Sequence, residues 1–145
     1  MNRHDSELIA GQLRAHGLEP AVTAQGADLV VLNTCSVRER PVHKVVSRIG
    51  ALAVLPEPPV IGICGCVAEQ EGASLLERSG AVGFVVGPGE VRRLGEALTA
   101  LDRGERAVLT GFETADTTGG DEIVRGSSTR GMGSVVEGCN ECCTF

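Results

Sequence analysis

The chain has 145 residues, enough for one domain with a sizeable core and too few for two full ones. At 42% hydrophobic it is globular and not disordered. A net charge of −6, no Trp or Tyr and three Phe argue against a basic nucleic-acid-binding face or a platform for stacked bases.

The elements follow an alternating pattern. A first helix is predicted over Ser6–His16, with Asp5 or Ser6 as its cap and Gly17 as its stop. A strand follows at Asp28–Leu32. The next helix carries Val42, Val45, Val46, Ile49, Leu52 and Ala53 at i, i+3, i+4, i+7 spacing. Ser36-x-x-Glu39 fits a capping box before it, and Pro41 is tolerable only near its start. Further strands are predicted at Val60–Cys64, Val82–Val86 and Arg106–Leu109, with a helix through Val91, Leu94, Leu98 and Leu101. These strands are nearly continuous apolar runs, as in parallel sheets covered on both faces. The expected fold is therefore α/β, a parallel flavodoxin-like or Rossmann-like sheet with right-handed crossovers.

The chain opens on a helix where such domains usually open on a strand, so a missing first strand is expected. The α/β domain is assigned to residues 1–112. Residues 113–133 are rich in Gly, Ser, Thr and Asp and read as a linker. Residues 134–145 read as the truncated start of a second domain.

No apolar run is long enough to span a bilayer, and the first residues lack the apolar stretch of a secretory signal, so a cytosolic location is expected. Six cysteines in that setting point to metal or cluster ligation in place of disulfides. Cys35 and Cys66 each follow a predicted strand, at the carboxyl edge where open parallel sheets build their sites. On neighbouring strands they lie roughly 5 Å apart and can address one cofactor. Cys64, inside an apolar run, reads as a buried small hydrophobe. Cys139 and Cys143 have Cys-x3-Cys spacing, and Cys142 between them is off that spacing. Two thiolates are too few for an iron–sulfur cluster, which takes three or four protein ligands.

Other candidates read as structural. Asp5-Ser6-Glu7 is a helix cap before it is an acid pair. His4, His16 and His43 share no ligand spacing and are expected at the surface. Arg38 reads as a solvated first-turn side chain as readily as a partner to a sulfide or phosphate. Gly87-Pro-Gly89 is loop punctuation, because it does not complete G-x-G-x-x-G.

Four ordered motifs carry a resemblance: Met1-Asn2-x-x-Asp5-Ser6-Glu7, Asn33-Thr-Cys35-Ser-Val-Arg38-Glu39, Gly65-Cys66-Val-Ala-Glu69, and Glu137-Gly-Cys139-Asn-x-x-Cys143-Thr-Phe145. Together they resemble the methylthiotransferase family of radical S-adenosylmethionine enzymes, and the Asn-Thr-Cys-Ser-Val-Arg-Glu run favours its tRNA isopentenyladenosine branch. The resemblance implies two [4Fe-4S] clusters. Cys35 and Cys66 match two of three ligands of the first, whose remaining cysteine is expected upstream of Met1. Cys139 and Cys143 match two of three ligands of the second, which binds S-adenosylmethionine; the third is expected after Phe145. The implied reaction methylthiolates C2 of N6-isopentenyladenosine at position 37 of tRNA. Implied partners are tRNA and an electron donor such as flavodoxin or ferredoxin, with no membrane and a monomeric state. Read this way the chain is part of an enzyme and is expected to be inactive alone. The alternatives are a non-catalytic zinc module in which Cys35 and Cys66 join Cys139 and Cys143, a plain flavodoxin-like binding domain, and the ribosomal-protein or threonylcarbamoyladenosine branches of the family.

Overall fold

A computed structural model gives the fold and describes residues 2–35 and 41–111. Four parallel strands form one sheet in the order β1-β2-β3-β4: Leu29–Thr34, Val60–Gly65, Val82–Val86 and Ala107–Leu109. The helices are α1 (Asn2–Ala15), α2 (Pro41–Ala53), α3 (Cys66–Glu71), α4 (Ala73–Arg78) and α5 (Leu94–Asp102), and a 3₁₀ segment at Pro88–Arg93 leads into α5. The expected α/β class with a Rossmann-like parallel sheet is what the described residues form.

Two apolar layers sandwich the sheet. On one face α2 lays down Val45, Ile49 and Leu52, at i, i+4 and i+7, against Ile61, Ile63, Val82 and Val85, with Val67, Ala68 and Leu75 beside them. On the other, α1 contributes Leu8 and Ile9, and α5 contributes Leu94, Ala97 and Leu98, against Cys64, Phe84 and Val86. Both faces being covered explains why the strands read as continuous apolar runs. Each fully buried aliphatic side chain here contributes about 1.5–3 kcal/mol.

Alternation along β3 breaks at one point. Ile61 pairs with Val82 but Gly62 pairs with Phe84, so Gly83 is an extra residue, a β-bulge. The bulge lets Val82 and Val85 face α2 while Phe84 and Val86 face α1 and α5. Phe84 then lies over Gly62, in space that a β-carbon on Gly62 would occupy.

Several element ends differ from the sequence expectation. Helix α1 begins at Asn2, four residues before the expected Ser6, so Asp5 and Ser6 lie inside it and are not its caps. Instead the Ser6 hydroxyl accepts a hydrogen bond from Asn33 Nδ2 at 2.9 Å. The expected stop holds: Gly17 has φ +86°, and Leu18 N–H reaches back to the Leu13 carbonyl at 3.0 Å, a Schellman-type end. Helix α2 is described from Pro41, a position the sequence puts near its start. Strands β1 and β2 run on to Thr34 and Gly65, past the expected Leu32 and Cys64. The single helix expected through Val91–Leu101 splits into the 3₁₀ segment and α5. The Ser36–Glu39 capping box, Arg38, the linker and residues 134–145 lie outside the described residues.

The histidines also differ. His43 is exposed, but His4 is partly buried. His16 Nε2 meets Asp102 Oδ2 at 2.8 Å, joining the ends of α1 and α5. The basic pair Arg92-Arg93 ends the 3₁₀ segment. Arg93 holds the buried Glu90 at 2.9 Å and both carboxylate oxygens of Glu96 at 2.9 Å. Hydrogen bonds to Glu96 and then Glu90 raise the Arg93 pKa further, and Arg93 holds the Glu96 carboxyl below its ordinary value.

Candidate functional site

The carboxyl ends of β1 and β2 bring two cysteines together. Thr34 and Gly65 are register partners on these strands, and Cys35 and Cys66 are the residues immediately after them. Parallel neighbours stand about 4.8 Å apart, so the two backbones leave the sheet side by side. Cys35 follows the end of β1 and Cys66 opens α3, and both are partly exposed free thiols. A ligand can therefore reach them from solvent without unfolding the sheet.

Two residues shape this edge. Gly65 takes φ +95°, a left-handed conformation that side chains disfavour, and a β-carbon there would strike the Thr34 carbonyl oxygen. The turn from strand to helix at this height is open only to glycine. Thr34, 7% exposed, makes two hydrogen bonds from one hydroxyl. It donates to the Cys64 carbonyl at 2.6 Å and accepts from the Val67 N–H at 3.2 Å. The residue before Cys35 is thus tied to the residues either side of the Gly65-Cys66 turn.

Glu69 borders the same edge, one helical turn beyond Cys66. Its Oε1 accepts the Gly111 N–H at 2.9 Å, and its Oε2 is buried against Gly87 with no hydrogen-bond partner among the described residues. Gly87, which follows β3, donates its own N–H to the Leu109 carbonyl of β4 at 2.7 Å. The sequence alone marks no role for Thr34 or Glu69. Both stood inside the motifs quoted above, but their partners lie about 30 and 40 residues away in sequence, beyond any local pattern.

Cys64 is set apart from the pair. It is fully buried among Leu8, Ile9 and Phe84, as its place in an apolar run implied. Burial, with a smaller contribution from nearby Asp5, pushes its thiol up to about 12, so it is inert as a ligand at neutral pH.

The pair fits part of a thiolate site. Two accessible sulfurs on neighbouring strand ends are the donor type for iron–sulfur or zinc binding. Among the described residues no group of three His, Cys, Asp or Glu side chains could hold a metal ion. Cys139 and Cys143 lie outside the described residues. Among those residues, too, no helix is long and apolar enough to cross a membrane.

The chain has relatives among known proteins. Residues 1–87, which contain both cysteines, match the family model described as "Uncharacterized protein family UPF0004". The chain is 38% identical over 151 residues to the tRNA-2-methylthio-N(6)-dimethylallyladenosine synthase of Jannaschia sp. (strain CCS1), covering all of this chain and 32% of that protein. It is 38% identical over 148 residues to the synthase of the same name from Erythrobacter litoralis (strain HTCC2594), covering 33% of it. It is 40% identical over 148 residues to that of Sphingopyxis alaskensis (strain DSM 13593 / LMG 18877 / RB2256), again covering 33%. The chain spans about a third of the length of the curated relatives it matches. With the family model matching more than half of its residues, this chain belongs to the UPF0004 family.

Proposed function

We propose that the chain supplies the α/β cluster-binding part of a radical S-adenosylmethionine tRNA methylthiotransferase. The observation that carries this reading is the pair of partly exposed cysteines on adjacent strand ends, within a chain whose relatives are named for this modification of tRNA. In the reading, Cys35 and Cys66 provide two thiolates to one [4Fe-4S] cluster, and Cys139 and Cys143 provide two to a second that binds S-adenosylmethionine. The remaining ligands come from outside the described residues.

When bound, the clusters and S-adenosylmethionine supply the redox and radical chemistry for methylthiolation of C2 of N6-isopentenyladenosine at position 37 of tRNA. The residues of this chain hold and orient. Gly65 sets the height at which the backbone leaves β2, Thr34 ties β1 to that turn, and the apolar layers beneath keep the sheet edge rigid. With a surface of net charge −6, this part makes no broad electrostatic contact with tRNA, and the bulk of RNA binding belongs to other parts of the enzyme. An electron donor such as flavodoxin or ferredoxin completes the system, and the 145-residue chain alone does not turn over.

Anaerobic incubation of the chain with ferrous iron and sulfide tests the reading. Substoichiometric iron and sulfide uptake that falls on Cys35→Ala and on Cys66→Ala, to the share held by Cys139 and Cys143, is the expected result. Uptake indifferent to both substitutions would refute it, as would tight zinc binding by the same cysteines with no sulfide retained.

A further inference from the structure

Thr34 occupies an unusual place for a polar residue. It is buried, it ends β1, and it stands next to Cys35 in the chain. Its hydroxyl serves two partners at once. As a donor it closes on the Cys64 carbonyl at 2.6 Å, and as an acceptor it receives the Val67 N–H at 3.2 Å. Those partners flank the Gly65-Cys66 turn on both sides. The hydroxyl is therefore a crosspiece between the backbone entering Cys35 and the backbone entering and leaving Cys66. The Gly65 α-hydrogen that stands where other residues carry a side chain faces the Thr34 carbonyl oxygen at the same level, so the two strand ends also approach through backbone.

Neither bond is needed for the sheet itself. The ladder between β1 and β2 already runs from Leu29↔Val60 to Thr34↔Gly65, and the apolar layers hold both strands. A valine at position 34 would suit a buried strand end on propensity alone. What the hydroxyl adds is a fixed offset between two segments that carry thiols.

We infer that Thr34 is a positioning residue for the cysteine pair: its hydroxyl sets the separation of the Cys35 and Cys66 thiols. This rests on the reading of that pair as co-ligands, and it goes beyond that reading by assigning the residue that fixes their spacing. Thiolate sites depend on such orienting bonds, because a ligand free to swing away must be ordered anew each time the site fills.

The test measures thiol spacing without iron. The full chain carrying Cys139→Ser, Cys142→Ser and Cys143→Ser is treated with dibromobimane, which becomes fluorescent only when both arms have reacted with thiols. Single-thiol alkylation rates of Cys35 and Cys66 are measured beside it, and circular dichroism reports the folded fraction. Cross-linking of Cys35 to Cys66 is expected in this background and in Thr34→Ser, which keeps the hydroxyl. In Thr34→Val the cross-link yield per folded chain is expected to fall by about tenfold, the scale on which losing an orienting bond weakens metal-ligand sites, while single-thiol rates stay put. Thr34→Ala, which removes the hydroxyl without placing a methyl against the Cys64 carbonyl, is the second variant should Thr34→Val not fold. Parent-level cross-linking in the folded fraction of either variant would overturn the inference. So would loss of the cross-link in Thr34→Ser, or its absence from the parent. Failure of the chain to take up iron would sink the proposed function and leave this measurement intact.

Discussion

The carbonyl oxygen of Thr34 fills the place where a β-carbon on Gly65 would stand, and Gly65 meets it at φ +95°. The close approach and the left-handed backbone fall at one position, the last paired step between β1 and β2. Gly65→Ala is therefore expected to lower stability by about 2–4 kcal/mol, from strain and from the contact that must be pushed apart. Urea denaturation measures it, and a loss below about 0.5 kcal/mol, the range of ordinary surface changes, would contradict the geometry.

Gly62 is a glycine for a different reason. Its backbone is ordinary, but the Phe84 ring occupies the space above it. Gly62→Ala is expected to cost about 1–3 kcal/mol by overpacking. In a Phe84→Leu background the same substitution should cost less, with a coupling of at least about 0.5 kcal/mol in a double-mutant cycle. Additive costs would mean that the ring does not hold the position.

Cys64 gives the fold an alkaline limit. Its thiol is raised from 9.0 to about 12 by burial first and Asp5 second, so the folded state keeps a proton that the unfolded state releases. The associated stability is fully present below about pH 9 and is lost as pH rises toward 12, with a slope near 1.4 kcal/mol per pH unit from this group. Cys64→Ala should flatten the pH dependence of stability between those limits relative to wild type. At pH 8 iodoacetamide should modify Cys35 and Cys66 in the native chain and spare Cys64, as peptide mapping would show.

Arg93 joins a buried carboxylate to an exposed one. It bonds Glu90, whose side chain is 2% exposed, and Glu96, whose side chain is 59% exposed. Arg93→Gln takes the guanidinium away from a charge that water cannot reach, whereas Glu96→Gln removes a partner at the surface. The melting temperature should therefore fall further for Arg93→Gln than for Glu96→Gln. The Glu96 contribution should fade on acidification, because its carboxyl is held below its ordinary value and this stabilisation is lost as pH falls through the folded pKa. Equal losses in the two variants would mean that Glu90 does not depend on Arg93.

The sheet was legible because Val, Ile and Leu runs covered on both faces leave little ambiguity. The placement of Cys35 and Cys66 just past those runs followed from it. The strand ends were harder to read. Asn33 and Thr34 look like loop residues, yet the parallel ladder carries on through Asn33↔Cys64 and Thr34↔Gly65, so backbone pairing extends β1 where the apolar pattern stops. The start of α1 was missed because Asn2, Arg3 and His4 carry no apolar marker. The bulge at Gly83 hides from alternation, since both neighbouring residues are buried and only the register reveals which face each takes. The thiol pair was legible as two residues, but the crosspiece between them was not, because a hydroxyl reaching over 30 residues leaves no trace in local spacing.

Glu69 and Cys66 share one short helix, Cys66–Glu71, three residues apart. Glu69 grips the backbone of Gly111, where the chain leaves the sheet after β4. A pull on the chain at Gly111 is thus borne less than one helical turn from the thiol-bearing residue, over roughly 5 Å of rigid helix. Mechanically, the cysteine edge and the exit from the sheet are two ends of a single lever.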